Sequence, residues 1–159
     1  MFNFFKKAKD KGILAPQNGK AIPLKEVPDE VFSQKMLGDG IAIIPEDGKV
    51  VSPVDGTIAQ ITDTLHAYGI KSDDGLDILI HCGIDTVSMN GEGFDVKVKE
   101  GQKVKVGDLI ANVNIKLIKE RGFSLHTPLI ITNFDEIKDF EPVIGDVKSG
   151  ETVVIKYKK

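Results

Sequence analysis

Two of the three histidines, His66 and His81, stand at the outer ends of two short β-type runs that a turn separates. A four-residue loop at residues 72–75 would join these runs into an antiparallel hairpin in which His66 lies directly opposite His81. Opposed residues of an antiparallel pair share one face of the sheet, with Cβ atoms about 4.5–5.5 Å apart. The sequence therefore predicts that the two imidazoles can touch, bind one metal ion or hold one phosphoryl group.

The alternation of side chains along the two runs predicts what surrounds the histidines. Leu79 is expected on the face of His81. Thr64 and Tyr68 are expected on the face of the other histidine. A face that is polar at its centre and apolar around it suits a docking surface with chemistry in the middle. Cys82, the only cysteine of the chain, is expected to point to the opposite face.

Three kinds of chemistry suit such a pair of histidines. Metal-dependent hydrolysis needs at least a third protein ligand and an open position for water. Asp63, Asp77 or Asp85 could supply that ligand, although the sequence contains no His-x-His or His-Glu-x-x-His spacing. Nucleophilic phosphoryl transfer needs only the two rings, one to attack phosphorus and one to donate an N–H to the phosphoryl oxygens. Binding of a ligand or metal ion without turnover is the third alternative.

The sequence has no Gly-x-x-x-x-Gly-Lys loop and no kinase-type set of residues for a nucleotide and magnesium. In the phosphoryl-transfer alternative, the group would therefore have to arrive already activated on another protein. The mixed face around His81 is where we expect such a donor to dock.

The composition indicates one compact, acidic domain. The 159 residues are 41% hydrophobic and carry a net charge of −3. The lysines are scattered rather than clustered, which argues against nucleic acid as a partner. A single cysteine allows no internal disulfide, as expected for a cytoplasmic protein, and no run resembles a signal peptide or a transmembrane segment. We expect residues 1–12 to form a flexible or weakly amphipathic segment and residues 13–159 to form a single domain.

Short β-type runs separated by Gly, Pro and Asp turns predict an all-β sandwich or barrel. These runs are residues 20–24, 40–44, 49–51, 57–62, 65–70, 76–81, 94–97, 109–114, 129–132 and 152–157. Helical signals are confined to a turn at residues 29–35 and a short helix at residues 115–121. Residues 53–58 and 101–110 look like two copies of one strand-turn-strand phrase. They resemble the phrases of biotinyl and lipoyl domains, but no carrier lysine stands at a hairpin tip.

Several motifs in one order identify a family resemblance. The run LIHCGIDTV at residues 79–87, followed by GEGF at residues 91–94, resembles the active-site signature of the glucose-family IIA components of the sugar phosphotransferase system. The resemblance continues through residues 38–43, 53–58, 101–108 and 133–138. It covers nearly the whole chain after about residue 13.

The resemblance implies an antiparallel β-sandwich related to barrel-sandwich hybrids, built as a duplicated hybrid motif with short helical turns only. It also implies a monomeric, cytoplasmic phosphocarrier. Such proteins accept a phosphoryl group from a histidine of the carrier protein HPr and pass it to a cysteine on the IIB domain of a sugar permease, transiently at the inner face of the membrane. Glucose, N-acetylglucosamine and β-glucoside systems use closely similar IIA domains, and some lineages also bind regulatory partners.

Carried over position by position, the resemblance implies roles for individual residues. His81 matches the phosphorylated histidine, with Nε2 as the attacking atom, and His66 matches the second histidine, which hydrogen-bonds the phosphoryl group. Thr64 matches the threonine that orients His66. The carbonyl of Gly83 would hold Nδ1–H of His81 and so set its tautomer. Asp85 stands where the family has an acidic residue beside the site.

The resemblance further implies an apolar docking rim, to which Phe32, Leu79 and Val87 would belong. No cofactor is required. Zinc would be bound by His66 and His81 only when a partner protein supplies a carboxylate as a further ligand.

Overall fold

The computed structural model describes residues 11–159, and strands make up most of this part of the chain. The strands are β1 (Lys11–Leu14), β2 (Gly19–Pro23), β3 (Asp39–Pro45), β4 (Lys49–Val51), β5 (Gly56–Ile61), β6 (Ala67–Ser72), β7 (Asp77–His81), β8 (Phe94–Val96), β9 (Lys103–Val104), β10 (Leu109–Val113), β11 (Thr127–Ile131), β12 (Asp139–Pro142), β13 (Gly145–Val147) and β14 (Val153–Lys158). The predicted all-β class is confirmed.

The described strands form three sheets, and every pairing among them is antiparallel. The largest sheet has eight strands in the order β13-β2-β3-β11-β7-β6-β5-β9. Two three-stranded sheets, β1-β14-β12 and β4-β10-β8, complete the sandwich. The central position of β6 and β7 in the large sheet places the histidine-bearing hairpin on a rigid support.

The predicted N-terminal segment, residues 1–12, needs a different boundary. Residues 1–10 lie outside the described part of the chain. Lys11 and Gly12 belong to β1, where they pair with Tyr157 and Lys156 of β14. The first strand therefore begins two residues before residue 13, where the sequence placed the start of the domain.

Both predicted helical turns are present and have side-chain caps. The first helix, Glu30–Ser33, begins after Asp29, whose carboxylate accepts a hydrogen bond from the backbone N–H of Val31. The second helix, Ile115–Glu120, is capped in the same way by Asn114. The described chain also contains 3-10 turns at Leu24–Glu26, Thr86–Met89 and Phe134–Glu136. No helix within residues 11–159 has the length and apolar character to cross a bilayer.

The two similar strand-turn-strand phrases lie side by side in the structure. Gly56 pairs with Val104, and Thr57 pairs with Lys103. Backbone hydrogen bonds from Ile58 N–H to the Gln102 carbonyl and from Gly101 N–H to the Ile58 carbonyl extend this contact. The pairing of the phrases fits the duplicated motif that the sequence indicated.

The large sheet buries apolar side chains on both faces, because alternate residues of each strand point in opposite directions. On one face lies the main core, to which the hairpin contributes Tyr68, Ile70, Ile78 and Ile80. On the other face a smaller cluster packs beneath the first helix. Its buried members are Ile22, Leu24, Val27, Phe32, Ala42, Ile84 and Ile130. The smaller cluster supports the surface on which His81 lies.

Candidate active site

The hairpin has a three-residue loop, so the predicted register is wrong by one residue. Ser72 belongs to β6, because its N–H donates to the Leu76 carbonyl and its hydroxyl accepts from the Leu76 N–H. The residue directly opposite His81 is therefore Ala67, not His66. Tyr68 consequently lies opposite Ile80 and points into the main core, contrary to the prediction that it shares the histidine face.

The two imidazoles nevertheless meet. Their ring centroids are 4.7 Å apart and their planes are nearly perpendicular, at 82°. His66 precedes β6, and the residue before it, Leu65, has a positive φ of 62°. Because regular strand alternation stops at this turn, the His66 ring reaches the face of His81 despite the shifted register.

His81 is held in a single tautomer. Its Nδ1 lies 2.8 Å from the carbonyl oxygen of Gly83, which can only accept, so Nδ1 carries the proton and Nε2 keeps its lone pair. The ring packs against Phe32, with centroids 4.9 Å apart. Burial lowers the pKa of His81, and this effect is opposed by the Gly83 hydrogen bond and by the charges of Asp29 and Asp85. The lowered pKa favours a neutral nucleophilic nitrogen at Nε2.

His66 is also neutral at physiological pH. Burial and the neighbouring His81 lower the pKa of His66 to about 4, while a hydrogen bond with the Thr64 backbone works in the opposite direction. The Thr64 hydroxyl lies 2.8 Å from Nδ1 of His66 and is better placed than the Thr62 hydroxyl at 3.4 Å. The side chain of Thr64 therefore contacts the ring that the sequence predicted it to orient.

A tightly bonded turn carries the Gly83 carbonyl. Gly83 has φ 81°, a conformation that suits glycine. The buried Thr86 hydroxyl donates to the Cys82 carbonyl at 2.6 Å, and Ile84 N–H donates to the Ser124 carbonyl. The sequence analysis assigned no role to Thr86, because a threonine inside a signature gives no sign of its bonding partner.

Two acidic residues stand near His81. Asp85, predicted from the sequence, is exposed and has a left-handed backbone, with φ 64°. Asp29 was predicted only to begin a helical turn, yet its charge also acts on His81. Folding brings Asp29 to the site from a distant part of the sequence, which local spacing could not reveal.

The predicted docking residues differ in exposure. Val87 is 51% exposed, but Phe32 is buried and Leu79 is partly buried against the smaller cluster. Phe32 therefore supports the surface from below, Leu79 is partly accessible, and the docking rim stays a prediction. Exposed apolar side chains in the segment around the first helix are Val31, Met36 and Leu37.

The alternatives that depend on other ligands receive no support from the described residues. No group of three His, Cys, Asp or Glu side chains within residues 11–159 is arranged to hold a metal ion. Asp63, Asp77 and Asp85 thus do not complete a three-ligand site with the two histidines. Cys82 points away from His81 into the main core, and burial raises the pKa of its thiol to about 12. A buried, protonated thiol is a poor nucleophile.

The structure is an antiparallel sandwich in which two neutral imidazoles are adjacent and one of them presents an unprotonated Nε2. This arrangement favours a protein that carries a phosphoryl group over a metal-dependent hydrolase. Comparison with known proteins places the chain in one such family. Residues 11–137 match the family described as phosphoenolpyruvate-dependent sugar phosphotransferase system, EIIA 1. The chain belongs to this family and is a phosphocarrier component of that system, as its sequence signature predicted.

Similar proteins cover almost the whole chain. The glucose-specific EIIA component of Halalkalibacterium halodurans is 45% identical over 166 residues, covering 99% of this chain and 96% of that relative. A glucose-specific EIICBA component of Staphylococcus saprophyticus is 47% identical over 152 residues, which are 94% of this chain and 22% of that relative. The solved structure of glucose permease IIA from Mycoplasma capricolum is similar with a TM-score of 0.87 and 40% identity, covering 93% of this chain and 96% of that one.

Proposed function

We propose that Nε2 of His81 accepts a phosphoryl group from a phosphohistidine of HPr and passes it to a cysteine on the IIB domain of a glucose-family sugar permease. The observation that carries this assignment is the 2.8 Å contact between His81 Nδ1 and the Gly83 carbonyl. This contact leaves the nucleophilic lone pair on Nε2, on the ring that meets His66.

Both transfer steps use the same nitrogen. In the first, the Nε2 lone pair of His81 attacks phosphorus, and the N–P bond of the donor histidine breaks with return of its electron pair to the donor ring. In the second, the acceptor thiolate forms an S–P bond while the N–P bond to His81 breaks. Nδ1–H remains on His81 throughout, and the Gly83 carbonyl stabilises the positive charge that the ring gains on phosphorylation.

His66 assists by hydrogen bonding. If the Thr64 hydroxyl donates to Nδ1 of His66, the remaining ring proton is on Nε2 and can be donated to a phosphoryl oxygen. A neutral His66 ring can donate this hydrogen bond, but it attracts the charged phosphoryl group less strongly than an imidazolium would. The phosphoryl group can therefore still be transferred from His81 to the acceptor.

The surface around His81 suits protein partners. It combines the exposed apolar side chains of Val31 and Val87 with the carboxylates of Asp29 and Asp85. We propose that HPr and the IIB domain present apolar surfaces with basic groups to this region. The EIICBA relative supports a functional link with a permease, since its name joins an A component to B and C components.

The names of the relatives favour glucose as the transported sugar, with N-acetylglucosamine and β-glucosides as the alternatives. We further propose that the chain acts as a cytoplasmic monomer and meets its acceptor transiently at the inner face of the membrane. Reconstitution with the IIB domains of candidate permeases tests the sugar class, because this protein meets a permease domain and not the sugar.

Zinc is proposed only as a conditional ligand. His66 and His81 supply two imidazole nitrogens of the type that zinc prefers. A third His, Cys, Asp or Glu ligand is not arranged beside them in residues 11–159. A partner carboxylate would therefore be needed for tight binding, and calorimetric titration with zinc alone should show only weak affinity.

The division of labour between the histidines is tested by replacing His66 with Gln. In a mixture of phosphoenolpyruvate, enzyme I, HPr and a IIB domain, we expect His66→Gln to accept the phosphoryl group but to pass it on at least about tenfold more slowly. His126→Gln is the matched control, because His126 bonds Ser124 and its ring does not contact the other histidines. Normal transfer from His66→Gln to the IIB domain would contradict the proposed role.

A further inference from the structure

Tyr68 is a wholly buried polar residue that the transfer mechanism does not use. Its side chain is 0% exposed, yet its hydroxyl donates a hydrogen bond of 2.8 Å to the backbone carbonyl of Leu65. Burial and the neighbouring Cys82 raise the pKa of Tyr68, so the hydroxyl stays protonated and remains a donor. The bond joins the core of the sandwich to the residue immediately before His66.

Leu65 needs such support because its backbone is left-handed, with φ 62°. Leucine adopts this conformation rarely, and it persists only where the surroundings hold it. Two hydrogen bonds fix the Leu65 peptide groups: its N–H donates to the Thr62 carbonyl at 2.8 Å, and its carbonyl accepts from Tyr68. Leu65 stands between Thr64 and His66, so its conformation sets the direction of both side chains.

Tyr68 also lies next to the strand that carries His81. Its hydroxyl interacts with the side chain of Cys82. The backbone N–H of Cys82 donates to the His66 carbonyl at 2.8 Å. The phenol of Tyr68 is thus packed beneath the surface that carries His66 and His81, at the point where their two chain segments meet.

We propose that Tyr68 is a positioning residue for phosphoryl transfer, whose hydroxyl holds the left-handed Leu65 turn so that Thr64 and His66 face His81. This inference rests on the proposed role of His66. It adds a buried group, outside the reactive surface, that determines how well His66 performs that role.

Tyr68→Phe removes the hydroxyl and keeps the aromatic ring in the core. Tyr157→Phe is the matched control: Tyr157 is the only other tyrosine, it is also buried, and its hydroxyl bonds Asp74 away from the histidines. We expect Tyr68→Phe to slow transfer to the IIB domain about tenfold, while Tyr157→Phe transfers like the parent chain.

Nitrogen NMR of the imidazoles gives a readout that does not depend on transfer. In Tyr68→Phe the His66 signals should shift and broaden, because the turn that aligns its ring with the Thr64 hydroxyl is no longer held. The His81 contact with Gly83 should persist. Unchanged His66 signals in Tyr68→Phe would overturn the inference. Label on His81→Gln would instead refute the proposed phosphorylation site, so the two failures are distinguishable.

A second substitution tests whether Tyr68 acts through Leu65. Asparagine adopts the left-handed conformation more readily than leucine. We therefore expect Leu65→Asn, added to Tyr68→Phe, to restore the His66 signals and part of the transfer rate, with Leu65→Asn alone as the reference. Absence of any recovery in the double variant would show that the hydroxyl does not act by holding this turn.

Discussion

Acidification should destabilise the fold through His66. This side chain is 5% exposed, and burial together with His81 lowers its pKa from 6.5 to about 4. Between these two pH values the unfolded chain binds a proton at residue 66 that the folded chain does not bind. The free energy of unfolding must therefore fall as the pH falls through this window.

The size of the effect follows from the pKa difference. At about 1.36 kcal/mol for each pKa unit, the interval from 6.5 to about 4 sets an upper bound of about 3.4 kcal/mol. Water that still reaches the ring reduces this bound, and we expect a contribution of about 2 kcal/mol. His81 and His126 also have lowered pKa values, so their contributions have the same sign.

Urea unfolding of the parent chain and of His66→Gln at pH 7 and pH 4.5 isolates the contribution of His66. Glutamine cannot titrate. The free energy of unfolding of the parent, taken relative to that of the variant, should therefore be about 2 kcal/mol lower at pH 4.5 than at pH 7. His126→Gln serves as the control for loss of a less buried histidine. A difference that stays constant between the two pH values would refute the buried, neutral state of His66.

Three further predictions concern the groups around His81. Gly83→Ala should destabilise the fold by about 1–3 kcal/mol and slow phosphorylation. The backbone of Gly83 has a φ of 81°, and an added Cβ would lie 2.5 Å from Thr86 Cγ2. Normal stability and normal labelling of this variant would contradict the prediction. Thr86→Val should cost about 1–3 kcal/mol in urea unfolding by leaving the Cys82 carbonyl unpaired, and Thr86→Ser should recover most of the loss. Asp85→Asn should weaken the salt dependence of association with HPr, measured by stopped-flow kinetics, if this exposed carboxylate meets basic groups.

The sequence was most informative where local chemistry decides the structure. Ten predicted strand segments correspond to observed strands, because turn residues bound them closely. The strands that it missed, β1, β12 and β13, have three or four residues each, whereas β9 lies within the predicted strand-turn-strand phrase at residues 101–110. Some are defined by partners far away in the sequence, as in the pairing of Lys11 with Tyr157 and of Gly145 with Ala21. Such pairings leave little periodic signal.

In the site, too, the sequence predicted the features that depend on neighbouring residues and missed those that depend on three-dimensional contacts. The signature located the segment of His81, and the hairpin pattern brought His66 near it. The register was wrong because Ser72 closes the loop with its own side chain and backbone. The rings still meet because Leu65 is left-handed, a conformation that no sequence pattern announces for leucine. The hydrogen bonds of Tyr68 and Thr86 are likewise visible only in three dimensions.

Direct location of the phosphoryl group tests the central claim. The full chain is incubated with phosphoenolpyruvate, enzyme I and HPr, and the acid-labile, alkali-stable product is examined by phosphorus and nitrogen NMR. We expect one phosphoryl group on Nε2 of His81, no label on His81→Gln, and normal labelling of His126→Gln. Undiminished labelling of His81→Gln, or a phosphoryl group on another residue of the parent chain, would contradict the assignment.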